Sequence, residues 1–372
     1  MKKKVMNSIP IGLFMFTLFF PAFIGWGWDF TWNDTENRTM AQKPVFGETS
    51  VNDYILNLNA YITDSVPLRK MWLRINGLVR YGIFRSSLKE ISMPGKEGWI
   101  YIGSTGLGCY EDTVADYQGT NLFTEEELRD LSDSLSGFRN YLNSLGIEFR
   151  LMINLNKSHV YPEYFPDEFV KSNTTRAEQV INYLNKHTNI PIVYPRDALL
   201  KEKERYLLYV PTDAHWNTVG GYVGFRELIK SLEPDKTFPD ISDIAPVYTK
   251  TEWADVSNII NAAWFTDNLW TTTSYRPEIK TEWTSRTDTN SSLYIHNNTG
   301  NGKKLLVYHD SYMNQMMDYL GKEYTDCEFI EKEFDITEAD ILEKNPDIVV
   351  FEILERMLNN YREELRYWQK YK

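Results

Sequence analysis

Two short segments hold residue types able to do nucleophilic chemistry. The chain has five histidines, His159, His187, His215, His296 and His309, so a catalytic imidazole comes from a small set. His215 lies in Pro211-Thr212-Asp213-Ala214-His215-Trp216-Asn217, and its spacing from Asp213 puts both side chains on one side of extended backbone. A carboxylate so placed holds one ring nitrogen protonated and leaves the other as a base. The same residues suit a helix start, with Asp213 or Asn217 accepting from backbone N–H groups, and spacing alone leaves both readings open. The second segment, Tyr308-His309-Asp310-Ser311-Tyr312, puts a serine where an apolar run ends and a helix begins. There the serine's backbone N–H and the helix dipole face whatever the hydroxyl attacks; plain capping by Asp310 or Ser311 is the alternative. Together Asp213, His215 and Ser311 make an orienter, a base and a nucleophile. A metal site of Asp213, His215 and His309 is the minor competing constellation.

These segments need elements to carry them. Apolar residues recur at helical spacing from Asn52 to Phe84, broken at Pro67. Glu97 to Gly103 reads as a turn followed by a short strand. Thr124 with Glu127 is a capping-box signature, opening a helix with Leu128, Leu131, Leu135, Phe138 and Leu142 on one stripe, stopped at Gly146. A strand at Ile147–Leu155, a helix at Thr175–His187, a strand at Ile190–Tyr194 and a third strand at Tyr206–Val210 follow, the last leading into a helix at Thr218–Leu232. Lys304–His309, Tyr312–Leu320, Cys327–Ile330, Ile336–Glu343 and Asp347–Ile353 continue the strand–helix alternation. That rhythm predicts an α/β fold with a mostly parallel sheet flanked by helices, and both serine and histidine fall at strand ends, where open sheets keep their ligand sites. Residues 236 to about 302 break the rhythm and read as an irregular insertion over the sheet's rim, carrying Trp253, Trp264, Trp270 and Trp283.

With 372 residues the chain can bury a core without metal or disulfide support. Its net charge of -12 argues against nucleic acid as a partner. The 24 tyrosines and 11 tryptophans exceed ordinary core needs, and leave open an aromatic-rich core or a groove for flat ligands such as sugars. Lys2, Lys3 and Lys4 precede an uncharged stretch from Met6 to Trp28, long enough to cross a hydrocarbon core of roughly 30 Å. Residues 1–28 therefore read as a membrane anchor or a cleaved signal peptide, with the rest of the chain outside the cytoplasm. Residues 29–90 form a tether and a helical lead-in, and 91–372 the catalytic domain. Cys109 and Cys327, the two cysteines, are either bridged or isolated thiols. Glycine-loop nucleotide motifs, paired CxxC and HExxH are absent, and no cofactor is expected.

The ordered set of motifs resembles the alginate O-acetyltransferase AlgJ/AlgX-like proteins, also called DHHW proteins, which carry an SGNH-hydrolase-like domain of rearranged topology. The matching residues are Glu36-Asn37-Arg38 with Pro44; Asp64, Pro67 and Arg69; Gly98 to Tyr101; Asp116 to Gly119; Asn156-Lys157 with Tyr161 to Glu163; Asp213 to Asn217 with Gly220-Gly221; Asp310 to Tyr312; and Glu352 with Glu355-Arg356. The resemblance implies Ser311 as nucleophile, His215 as base and Asp213 as orienter. It marks Asn156, Lys157, Trp216, His309 and Tyr312 as oxyanion or substrate-binding candidates. His309 stands where many members have glycine, and Ala214 where the motif name implies a first histidine. Lys157 is open between steering an anionic polysaccharide and a solvated loop role. The implied activity is O-acetylation of an extracytoplasmic polysaccharide through an acetyl-serine, with a membrane-bound O-acyltransferase as donor. The alternatives are a carbohydrate acetylesterase on the same residues and a non-catalytic glycan-binding or assembly protein.

Overall fold

Leu305-Leu306-Val307 and Ile348-Val349-Val350-Phe351 are continuous apolar runs, which a strand needs only when both of its faces are covered. In the computed structural model they are the two central strands of a seven-stranded sheet. The structure describes residues 40–65, 69–86, 92–103, 113–286, 292–331 and 336–372, with positions 11, 12, 14–16 and 19. The Glu36-Asn37-Arg38 motif, Pro67, Cys109 and most of the apolar stretch from Met6 to Trp28 lie outside the described residues. Among the described residues no helix is long and apolar enough to cross a membrane.

The chain forms two compact units. The first comprises residues 1–85 with Asn258–Trp264, the second Ser86–Ser257 with Phe265–Lys372. In the first, helix α1 (Val51–Asp64) starts at Ser50, whose hydroxyl accepts from the Asp53 N–H, and α2 (Arg69–Gly77) runs into a wider turn at Leu78–Ile83. The expected helices form, yet α1 buries no residue, and Ile55 and Ile62 of its stripe are exposed. Trp264 belongs to this unit and stacks under the Arg74 guanidinium.

In the second unit, β1 (Ser92–Pro94) and β2 (Ile100–Ile102) pair antiparallel. The main sheet contains β3 (Glu148–Asn154), β4 (Ile192–Val193), β7 (Glu282–Arg286), β8 (Ser292–His296), β9 (Lys304–His309), β10 (Asp326–Glu331) and β11 (Ile348–Leu354), in the order β4-β3-β11-β9-β10-β8-β7. Five strands are parallel, while β8 and β7 add antiparallel at one edge, so the sheet is mixed. Alternate residues sort to opposite faces. Leu305, Val307, Ile348 and Val350 join one core with helix α5 (Thr218–Leu232), and Leu306, Val349, Phe351 and Ile353 join the other with α3 (Glu125–Ser144) and α4 (Arg176–His187). The capping box of Thr124 and Glu127 is present, and each of the five stripe residues of α3 is buried, worth about 1.5–3 kcal/mol per side chain.

Three expectations fail for identifiable reasons. Tyr206–Val210 is no sheet strand. Leu208, Tyr209 and Val210 are fully buried, but their backbone closes on its own turn, with Asn217 N–H donating to Leu208 O (2.8 Å) and Val210 N–H to His215 O (3.2 Å). The insertion is not irregular. It holds a hairpin of β5 (Val247–Thr251) and β6 (Asn268–Thr272), and contributes β7 and β8. Edge strands exposed on one side alternate polar residues, as in Glu282 to Arg286, and so give no apolar run. The helix expected at Tyr312–Leu320 is a 3₁₀ turn, Ser311–Gln315, followed by a short helix, Met317–Gly321. Cys327 is a buried free thiol of β10, its pKa pushed up by burial.

Candidate active site

Strands β3, β9 and β11 are parallel neighbours, so their carboxyl ends deliver Asn156, Ser311 and Glu355 to one rim of the sheet. Ser311 opens the 3₁₀ turn that follows β9. Its predecessor Asp310 ties that turn down: one carboxylate oxygen accepts from Tyr312 N–H (2.9 Å), the other from Leu354 N–H at the end of β11 (2.6 Å). Asp310 N–H in turn donates to Glu352 (3.0 Å), whose other oxygen accepts from the Asn154 amide (2.5 Å). Burial, and then the nearby Asp310, push Glu352 well above the usual carboxylate range.

The second half of the site is the self-closed turn at 210–217. Asn217 caps α5, accepting from Val219 and Gly220 N–H (2.9 and 3.0 Å), which leaves Asp213 free to face His215. Close approach sets the two glycines that follow. A Cβ on Gly220 would sit 2.3 Å from Leu208 O, and one on Gly221 2.4 Å from Gln315 O, so α5 can lie against both the histidine turn and the serine turn. Trp216 and Tyr312 bind the two turns reciprocally: the indole N–H donates to Tyr312 O (2.8 Å), and the Tyr312 hydroxyl donates to Ala214 O (2.6 Å).

The result is a continuous relay. His215 Nδ1 lies 2.7 Å from Asp213 Oδ1, and His215 Nε2 lies 2.7 Å from Ser311 Oγ. Asp213 is fully buried, whereas the His215 side chain keeps 22% exposure, so the ring is reachable from outside. A third group was not legible in the sequence. Asp255, from the insertion, approaches His215 Nδ1 at 3.4 Å, accepts from Ala214 N–H (2.8 Å), and donates its own N–H to Asp213 (2.6 Å). Its contacts span some forty residues, and no local spacing announces them. Burial alone would raise Asp213, but the hydrogen bond and charge of His215 and the Asp255 N–H hold it at about 2. Burial disfavours a charged His215, yet the hydrogen bonds and charges of Asp213 and Asp255 lift it to about 10. Asp255 itself is raised, by burial and by the like charge of Asp213. Asp213, His215 and Asp255 also bring three donor atoms within 4.8 Å of one another, a set that fits a cation only if the His215 Nδ1 proton is given up.

This electrostatic arrangement fixes a pH signature. A base works in its neutral form, so if His215 is the base, its pKa of about 10 predicts a kcat/KM that climbs as pH rises toward 10. Asp255→Asn removes one of the two carboxylates holding the pKa up. Its rising limb is expected at lower pH, with each unit of displacement worth about tenfold in base form below the pKa. A pH–rate profile checks this, and a limb that stays in place contradicts it.

The remaining candidates sit elsewhere than their motifs suggested. Lys157 neither steers ligands nor sits in solvent. It is buried, with Nζ donating toward the carbonyls of Ile100 (2.6 Å), Val210 (3.2 Å), Pro211 (2.8 Å) and Asp213 (2.6 Å) and lying over the Trp99 and Tyr101 rings. Burial pushes its pKa down to about 7. Asn156 is no oxyanion donor in this arrangement: its amide donates to Asp116 (2.8 Å) and its oxygen accepts from Arg356 (2.6 Å). His309 is turned into the core against Phe329, its Nδ1 on Asp310 O (2.7 Å), and burial lowers its pKa to about 4. Trp216 and Tyr312 are fully buried and hold the turns rather than a ligand. Most of the tyrosine excess is core as well, with hydroxyls of Tyr101, Tyr209 and Tyr222 spent on backbone carbonyls. Trp253, 48% exposed, is different. It pairs with Trp270 (rings 5.8 Å apart) two residues from Asp255.

A mixed α/β sheet with a serine, histidine and aspartate on its carboxyl rim defines an SGNH-hydrolase-like domain. The family described as the SGNH hydrolase-like domain of acetyltransferase AlgX matches residues 93–301, more than half of the chain, and the chain belongs to it. It is therefore an acetyltransferase-family enzyme of the extracytoplasmic side. Among solved structures it is similar to Bacillus cereus PatB1 with a sulfonyl adduct, at TM-score 0.53 and 13% identity over 72% of this chain and 97% of that one. It is equally similar to a DHHW family protein from Eubacterium siraeum, at TM-score 0.53 and 14% identity over 74% of this chain and 98% of that one. At such identities these likenesses establish the fold. No curated protein matches the sequence. The matched segment ends before Ser311, so the family match does not reach that residue.

Proposed function

We propose that this AlgX-family protein acetylates hydroxyls of an extracytoplasmic polysaccharide through an acetyl-Ser311 intermediate. The observation that carries the reading is the relay Asp213–His215–Ser311, with both links at 2.7 Å. In the first step His215 Nε2 takes the Ser311 proton while Oγ bonds to the acetyl carbonyl carbon of the donor ester. The ester C–O bond then breaks, and the departing alcohol takes that proton from His215. In the second step a sugar hydroxyl gives its proton to His215 and attacks the acetyl-serine, the Oγ–C bond breaks, and Ser311 recovers the proton. General base catalysis of this kind contributes roughly 10²–10⁴-fold. The Ser311 N–H, at the start of its turn, is the oxyanion donor in this scheme; Tyr312 N–H is held by Asp310. The Trp253–Trp270 pair offers a flat face for sugar beside Asp255. The donor in this reading is a membrane-bound O-acyltransferase, and residues 1–28 are the anchor or signal that brings the domain to it.

Incubation with an acetyl ester and a glycan separates transfer from hydrolysis. Acetylated glycan, with acetate release slowed as glycan is added, is the expected outcome. Acetate alone at every glycan concentration identifies an esterase instead.

A further inference from the structure

Helix α2 and the wider turn after it are amphipathic with the apolar side turned outward. Gly77 and Tyr81, four residues apart, are buried. A Cβ on Gly77 would meet Asn261 O at 2.4 Å, so this face packs on the Asn258–Trp264 segment of the same unit. Met71, Ile75, Leu78, Val79 and Ile83 recur at i, i+4, i+7, i+8 and i+12, the stripe by which a helix ordinarily meets a core. All five are exposed, with Ile83 at 66% and the neighbouring Phe84 at 70%. On α1, Val51, Ile55 and Leu56 are exposed too. The second unit keeps such side chains in its two cores, and its exposed ones, such as Leu122, Val170 and Leu342, are scattered along the chain. Single exposed apolar residues need no explanation, but a clustered face marks contact with a protein or a membrane.

Charge decides between these occupants. From Arg69 to Arg85 the sequence has five cations, Arg69, Lys70, Arg74, Arg80 and Arg85, and no carboxylate. The described residues of this unit carry six cations against three carboxylates, Glu48, Asp53 and Asp64, in a chain whose net charge is -12. Only Asp64 approaches this basic run, at 3.9 Å from Arg69 among the described residues. A second copy seated on this face would bring two positive surfaces together, which opposes self-association. An anionic bilayer surface matches both features, since apolar side chains enter the acyl boundary while long basic ones reach the headgroups. Trp264, 40% exposed under the Arg74 guanidinium, is the residue type that favours such an interface.

We infer that the outward face of α2 and its following turn lies on a bilayer surface bearing anionic headgroups. At nine residues α2 is too short to cross a bilayer, so the contact is in the plane of the interface. The reading of residues 1–28 as an anchor keeps the unit within reach, since the stretch between them and α1 spans at most about 75 Å when extended. The inference rests on that reading for proximity alone.

The test is photo-cross-linking of the full chain on vesicles of phosphatidylglycerol that carries a photoactivatable group on its acyl chain, with adducts mapped by peptide mass analysis. Adducts are expected within residues 71–84, whether or not residues 1–28 also carry them. Their yield should fall severalfold on vesicles of phosphatidylcholine bearing the same group. Ile83→Ser/Phe84→Ser is expected to lower the yield in this segment by about tenfold or more. Arg80→Gln/Arg85→Gln should weaken the contact on anionic vesicles by about fivefold for each charge removed. All four side chains are exposed, so both variants should fold and hydrolyse a small acetyl ester as the unsubstituted protein does. Ser311→Ala should give the same adducts, which separates this surface from the acetyl-transfer reading. Adducts confined to residues 1–28, a segment left unlabelled because two copies bury it, or an equal yield on neutral vesicles overturns the inference.

Discussion

Ser311→Ala is expected to lower acetyl transfer and ester hydrolysis together by about 10⁴-fold or more, while leaving stability within ~0.5 kcal/mol. The hydroxyl is half-buried and makes one contact that matters, the 2.7 Å bond to His215 Nε2. Its loss leaves the surrounding turns intact, because Asp310, Trp216 and Tyr312 hold them independently. His215→Ala is expected to cost nearly as much, and the double variant little more than either single change, since the pair acts as one unit. Asp213→Asn should follow with a loss of about 10³–10⁴-fold, because an amide no longer fixes the Nδ1–H tautomer. Steady-state rates on a chromogenic acetyl ester measure all four. Additive losses in the double variant would mean that serine and histidine act separately.

Lys157→Met is expected to have the largest effect of any change that touches no reacting atom. Of the four carbonyls around its Nζ, Val210 O also accepts from Asp213 N–H and Pro211 O from Ile100 N–H. Those of Ile100 and Asp213 lose their principal donor. Leaving two buried carbonyls unmatched, at about 1–3 kcal/mol each, predicts a loss of roughly 2–6 kcal/mol in stability. The contacts over Trp99 and Tyr101 go with them. Because the Asp213 carbonyl is one of the two, the surviving folded fraction should also show a reduced kcat, with KM much less affected. Denaturant unfolding and steady-state kinetics read the two effects separately. A stable, fully active Lys157→Met would remove the buried lysine from the account.

What the sequence shows of this molecule depends on how local each feature is. Helix α3 was fully legible, since a capping box, a stripe and a terminal glycine all act within one element. The central strands β9 and β11 were legible because burial on both faces forces continuous apolar residues. The edge strands β7 and β8 were not, since one-sided exposure dilutes their pattern. Tyr206–Val210 misled for the opposite reason: its residues are apolar for the core, while its backbone serves a turn. At the site, Asp213, His215 and Ser311 stood out through residue type, strand ends and motif. Asp255 did not, because only folding brings it to His215. Motif residues also proved divided in role. Asn156, Lys157, Trp216 and Tyr312 build the frame that holds the relay, and a motif records frame and chemistry alike.

The most direct measurement is mass analysis of the protein quenched during turnover of an acetyl ester. The account predicts one added acetyl group, mapped to Ser311, lost on chasing with glycan and absent in Ser311→Ala. Acetyl transfer that proceeds with no acetyl on Ser311, or with the group on another residue, would contradict it.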